Sequence, residues 1–220
     1  MLIKREGGRM ILVEPSFHIE KDLTGDQILR NIERWGRKAY KSENKITNTS
    51  HLKFAELIRN KKHWPVFERG VVAVNFICDR GISHEIVRHR LASYLQESTR
   101  YCNYSLDKFM NSITLCPMLD NLNDFQVERR RSLYKLIEKV YLNEIAEGVS
   151  PQQARDNLPT CLKTELGMQC NLVEWRHFFK MRCSPSAHPH LRKITVELLG
   201  AMKAYIPIVF NDLIIGETIL

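Results

Sequence analysis

The sequence predicts an α+β fold: a single domain over residues 1–220 with a central, mostly antiparallel sheet flanked by helices. Three observations point there. Residues 71–78, Val-Val-Ala-Val-Asn-Phe-Ile-Cys, are rich in β-formers and read as a buried strand. Apolar residues recur at helical spacing through much of the remaining chain. The 220 residues suit one domain with a substantial core, and no repeat, low-complexity segment or linker divides them.

The elements follow in order. Ile11, Leu12 and Val13 form a short strand that Pro15 ends. Thr24 is an N-cap, with Gln27 completing a capping box, and Ile28, Ile32, Trp35 and Ala39 mark a helix over about 25–40. Ser42 is a hydroxyl at its end. A second helix over 50–60 turns Leu52, Phe54 or Ala55, and Ile58 to the core. Pro65 breaks the helical pattern ahead of the strand at 71–78. Asp79-Arg80-Gly81 is a turn signal, and Ser83 caps a short helix carrying Ile86 and Val87, with Glu85 on its polar side.

Residues 102–124 are irregular. A long helix over 125–148 has Phe125, Leu133, Leu136, Ile137, Val140, Tyr141 and Ile145 as its apolar stripe and Gly148 as its stop. Ser150-Pro151-Gln152-Gln153 opens a short helix that ends ahead of Pro159. Residues 160–170 are strand-like. Asn171 to Glu174 is a capping box opening a helix on which Leu172, Trp175, Phe179 and Arg182 share a stripe. An arginine on an apolar stripe needs a partner, because an unpaired buried charge is costly. That partner is either a ligand edge or a carboxylate such as Glu165 or Glu174. A last helix follows His188-Pro189, carries Leu191, Ile194, Leu198, Met202 and Tyr205, and stops at Pro207.

Composition narrows the function classes. A hydrophobic share of 44% with 26% charged residues is that of a soluble globular protein. No apolar run approaches the ~20 residues that span a bilayer. The apolar run 10–13 after the basic N-terminus is too short for a secretory signal. With Met10 as the start, residues 1–9 become an extension. The net charge of +8 favours anionic partners: nucleotides, polyanionic cofactors or nucleic acid. The triple Arg129-Arg130-Arg131 reads as a solvated helix face. Six cysteines (78, 102, 116, 161, 170 and 183) form no Cys-x-x-Cys pair, which argues against a zinc site and for reduced thiols in the cytoplasm.

Residues 88–101, Arg-His-Arg-Leu-Ala-Ser-Tyr-Leu-Gln-Glu-Ser-Thr-Arg-Tyr, concentrate the chemistry. Three arginines, a histidine and a set of hydroxyls stand within fourteen residues. Arginine forks match phosphate oxygens and the carbonyl edges of planar heterocycles, and serines can complete a phosphate nest. The segment is a candidate site for a phosphorylated, planar ligand; the competing reading is a solvated cationic face. His89, between two arginines, should be pushed toward its neutral form.

Arg88-His89-Arg90 with Ser93, Ser98, Arg100 and Tyr101 resembles the signature of the flavin-dependent thymidylate synthases at every fixed position. The resemblance extends over roughly 25–210. It implies an enzyme that methylates dUMP at C5 to dTMP, with FAD as cofactor, methylenetetrahydrofolate as carbon donor, NADPH as reductant and no covalent enzyme nucleophile. By resemblance, dUMP contacts fall to Glu85, Arg88, Gln96, Glu97, Ser98, Thr99, Arg100, Arg155 and Arg182. FAD contacts fall to Ser42, Arg88, His89, Arg90, Gln96, Asn171 and His177. Arg182 is the catalytic residue, at the uracil edge. The family also implies a homotetramer with shared sites, and no metal, membrane or nucleic-acid role. The chain departs from the family pattern at Trp64, Pro65, Arg69, Val173 and His177. Two other readings stay open on the residues alone: a nucleic-acid-binding protein, and a phosphate-ligand enzyme using Cys161 or Cys102 as nucleophile.

Overall fold

The structure, a computed structural model, describes the backbone of Lys4–Arg5 and residues 10–216. The expected extension, residues 1–9, otherwise lies outside the described residues. The architecture is α+β. A three-stranded sheet joins β1 (Lys4–Arg5), β2 (Ile11–Leu12) and β6 (Thr114–Leu115), with β1 antiparallel and β6 parallel to β2. A four-stranded antiparallel sheet has the order β3 (Ser16–Glu20), β4 (Val71–Asp79), β7 (Lys163–Asn171), β5 (Ala92–Gln96). The helices are α1 (Gly25–Ala39), α2 (Ser50–Asn60), α3 (Arg80–Ile86), α4 (Asp124–Ala146), α5 (Pro151–Ala154), α6 (Leu172–Arg182), α7 (Pro189–Tyr205) and α8 (Pro207–Phe210). Among the described residues no helix is long and apolar enough to cross a membrane.

The chain divides into two compact units. One holds the N-terminal residues to Ser16, then Phe76–Val87 and Leu95–Leu166. Its core gathers Met10, Tyr104, Ile113, Leu115, Tyr134, Tyr141 and Leu162. The other holds Phe17–Asn75, Arg88–Tyr94 and 167–220. There Trp175, Phe178, Phe179 and Phe210 form an edge-packed aromatic cluster, and the Trp175 indole N–H donates to the Val72 carbonyl at 3.0 Å.

Helices α1 and α2 stand where the spacing places them, and the Thr24–Gln27 capping box forms in both directions. Ile28, Ile32, Phe54, Ala55 and Ile58 are buried as expected, while Trp35, Ala39 and Leu52 fall outside the buried faces. Trp35 is 41% exposed, with the Arg69 guanidinium 4.3 Å from its ring centroid. The buried positions are Ile28, Leu29, Ile32, Glu33 and Gly36. Glycine decides this: a Cβ at Gly36 would lie 2.4 Å from Phe54 Cζ, so the helix can approach α2 only there. Leu52 is likewise exposed, while His51, Phe54, Ala55 and Ile58 are buried.

Three further expectations change. The strand at 71–78 alternates in burial and has an exposed end at Val71, as an antiparallel sheet with unlike faces requires. The cap of α3 is Asp79, whose Oδ1 accepts from Ile82 N at 2.8 Å, while Ser83 Oγ donates to the Arg80 carbonyl. The apolar stripe of α4 mostly faces outward: Phe125 is 75% exposed, and Leu133, Leu136 and Val140 are exposed too. Its buried face is Tyr134, Glu138 and Tyr141. Glu138 can be buried because it accepts from Ser112 Oγ (2.6 Å) and Ile113 N (3.1 Å). Strand β3, after Pro15, was not expected.

Candidate functional site

Helix α6 starts from a capped strand end and sets up the site. Strand β7 ends at Asn171, whose Oδ1 accepts from Glu174 N at 2.8 Å and launches α6. The expected capping box is only half formed, because the Glu174 side chain turns to His89 instead. His89 Nδ1 lies 3.0 Å from Glu174 Oε1, and Arg182 Nε donates to His89 Nε2 at 3.1 Å. A guanidinium nitrogen can only donate, so His89 Nε2 accepts and Nδ1 carries the proton that Glu174 accepts. The geometry therefore selects a neutral imidazole in one tautomer. Burial pushes His89 below its ordinary value, with Arg182 and His177 acting in the same direction, and the hydrogen bond that His89 donates to Glu174 opposes them.

His89 and Glu174 are both 6% exposed. The Phe178 ring packs edge-on to His89 at 4.9 Å and the exposed His177 ring at 5.5 Å. Tyr94 OH donates to the His89 carbonyl at 2.6 Å and fixes the backbone. Arg88 and Arg90 on either side point their charge to solvent. Ligand atoms of His89, Glu174 and His177 lie within 4.8 Å of one another, the spacing of a cation-binding set. The Arg182 charge on His89 works against a cation there. Ser42 precedes a 3₁₀ turn, Glu43–Lys45, and among the described residues no hydrogen bond joins it to the His89 set.

A second constellation lies in the other unit. The Gln96 amide donates to Ser83 Oγ (2.9 Å) and Thr164 Oγ1 (3.2 Å). Glu97 accepts from Tyr104 OH (2.9 Å) and Lys163 Nζ (3.0 Å), and Lys163 also donates to Glu165. Burial works to lower Lys163, but the two carboxylates outweigh it and hold its ammonium above the usual value. Glu97 is thus engaged by protein partners. Ser98 opens a turn whose carbonyl accepts from Tyr101 N and Cys102 N. Buried Thr99 follows, then Arg100, which is exposed with Nε donating to Gln152 Oε1 at 2.9 Å. Arg155 heads a 3₁₀ turn, Arg155–Asn157, and is half-buried, as is Glu85 on α3. Lys163 is shared between Glu97 and Glu165, and Arg100 and Arg155 are further cations that this unit offers to an anion.

Sequence reasoning named Glu174 as a carboxylate that could pair with Arg182 but missed its contact with His89, along with Tyr94, Phe178 and Lys163. Glu174 occupies the third position of a capped helix, where a capping role is the ordinary reading. Its partner is 85 residues away, so no local spacing could show the pair.

The chain matches the model of the thymidylate synthase complementing protein family over residues 24–208. It is 31% identical over 220 residues to the flavin-dependent thymidylate synthase of Mycobacterium sp. (strain KMS), covering 91% of this chain and 85% of that protein. It is 32% identical over 137 residues to the enzyme of that name from Geobacter sulfurreducens, covering 60% and 56%. Among solved structures, a UMP/dUMP methylase, PolB from Streptomyces cacaoi, bound with 5-Br UMP, superposes with a TM-score of 0.70 at 14% identity, covering 93% of this chain and 96% of that one. That likeness is one of fold.

Proposed function

The chain belongs to the thymidylate synthase complementing protein family, and from that membership we infer that it is a flavin-dependent thymidylate synthase. It methylates dUMP at C5: the C5 hydrogen leaves, the methylene carbon of methylenetetrahydrofolate joins C5, and two reducing equivalents from NADPH bring that carbon to a methyl group. The observation that carries the reading is the folded signature segment. It sets a neutral histidine between two exposed arginines and binds that histidine to Arg182.

The donor set fits a flavin dinucleotide. Arg88 and Arg90 offer exposed cations to a pyrophosphate. Neutral His89, the exposed His177 ring and the amide hydrogens of Asn171, whose oxygen alone makes the cap, suit a polar heterocycle. Gln96 and Ser42 complete the assigned FAD contacts. When bound, FAD supplies the two-electron carrier that NADPH loads. The dUMP phosphate is assigned to Ser98, Arg100 and Arg155, and the rest of the nucleotide to Glu85, Arg88, Gln96, Glu97, Thr99 and Arg182. Lys163 and Tyr104 hold Glu97 in place. Arg182 stabilises the negative charge that grows at the uracil edge as C5 becomes nucleophilic.

No protein nucleophile takes part. Burial pushes all six thiols up, Cys78 to about 12, and a thiolate is the reactive form. The whole chain is read as one domain, working in the cytoplasm, where its six free cysteines stay reduced. The assembly is read as a homotetramer that shares its sites between subunits. The outward apolar stripe of α4 supports contact between copies.

The test is an absorbance spectrum of the purified protein. It should show a flavin that bleaches on adding NADPH. A colourless protein that cannot be reconstituted with FAD contradicts the reading.

A further inference from the structure

Glu174 and Arg182 stand eight residues apart on α6, about 12 Å along its axis and about 80° apart around it. A side chain from a different segment, His89, joins the ends of their side chains, with Nδ1 on the first residue and Nε2 on the second. Phe178 packs against the imidazole ring, and Tyr94 holds the His89 backbone carbonyl. Glu174 itself is held by the start of its own helix, where its backbone N–H donates to Asn171. An imidazole has two tautomers, and only one offers a lone pair at Nε2. In the other, Nε2–H would face the Arg182 N–H, donor against donor.

We propose that Glu174 is a positioning residue: by accepting the Nδ1 proton of His89 it fixes the tautomer whose Nε2 holds the Arg182 guanidinium in place. The inference rests on the assignment of Arg182 to the nucleotide. Glu174 is buried against His89 and acts through it. The titratable groups acting on the imidazole are Glu174, Arg182 and His177, all from α6, and Glu174 is the carboxylate among them. Replacing Glu174 with an amide lets the side chain either accept from or donate to Nδ1, and the choice of tautomer is lost.

The first readout is ¹⁵N NMR of histidine-labelled full-length protein, with His89 assigned by its loss in His89→Gln. Wild type should show a neutral His89 protonated on Nδ1. Glu174→Gln should show a mixture or the Nε2–H form. The second readout is single-turnover dTMP formation per bound flavin. In Glu174→Gln it should fall about tenfold or more, though by less than the ~10²–10³ of deleting a donor outright, with flavin content kept. Glu174→Asp, which retains the acceptor, should recover much of the rate.

A wild-type His89 protonated on Nε2, or as imidazolium at neutral pH, overturns the proposal. So does a Glu174→Gln protein that turns over within about twofold of wild type. If Glu174→Gln fails to fold, the wild-type tautomer and Glu174→Asp still decide. The tautomer is read without substrate, so a wrong tautomer counts against Glu174 alone, whereas absent dTMP counts against the function.

Discussion

Arg182 closes α6 with its Nε committed to His89, so the protein orients its charge before any ligand arrives. A preorganised donor aimed at developing charge acts on the transition state more than on binding. Arg182→Ala is therefore expected to keep its fold and flavin and lose about 10²–10³ in single-turnover dTMP yield. Arg182→Lys should fall short of wild type, since an ammonium cannot reproduce a planar fork. Melting temperature, flavin content and yield measured on one preparation separate this from a structural role, in which all three would drop together. His89 makes a prediction about pH. Burial holds its folded-state value below the ~6.5 of an unfolded histidine. Between those values the unfolded chain binds the extra proton, so this contribution to stability is complete above about pH 6.5 and is lost as pH falls. Asp26 and Asp212, held low by Arg30 and Arg176, act in the same direction in a lower window, below about pH 4. Denaturant midpoints should fall between about pH 7 and pH 5.5 in wild type and less in His89→Gln; equal falls would reject the assignment.

At the scale of elements, caps and close approaches carry testable weight. Asn171→Ala removes the acceptor that starts α6 and should cost about 1 kcal/mol. Gly36→Ala drives a Cβ against Phe54 and should cost about 1–3 kcal/mol. Urea unfolding reads both, and an unchanged midpoint would mean the neighbour gives way. The outward stripe of α4 predicts that Leu133→Glu or Leu136→Glu lowers the sedimenting mass while leaving helix content intact. An unchanged mass would reject the α4 stripe as a contact between copies. These elements also show what spacing can reveal. Helix positions followed from caps and period, since Thr24 with Gln27, and Asn171, act locally. Which face is buried followed only in part: Ile28, Ile32, Phe54, Ala55 and Ile58 are inside as expected, while Trp35, Leu52 and most of the α4 stripe are not. On α1 the face is set by a glycine, and on α4 by a hydrogen-bonded glutamate, neither of which a count of apolar residues detects.

At the scale of the whole molecule, seven residues at fixed spacing carried the function through their resemblance to a family signature, whereas their chemistry alone pointed only to a phosphorylated, planar ligand. The contacts of Glu174, Tyr94 and Phe178 with His89 escaped because they form only in the folded chain. The net charge of +8 suits the anionic set of dUMP, folate, NADPH and FAD. The central claim is reductive methylation, and its most direct measurement uses methylenetetrahydrofolate labelled in the methylene carbon. With dUMP, NADPH and the flavin-loaded protein, the label should appear in the methyl group of dTMP, with one NADPH consumed per dTMP and nothing formed when NADPH is withheld. A flavin-loaded protein that transfers no label to dUMP, or that transfers it equally well without reductant, would contradict the account.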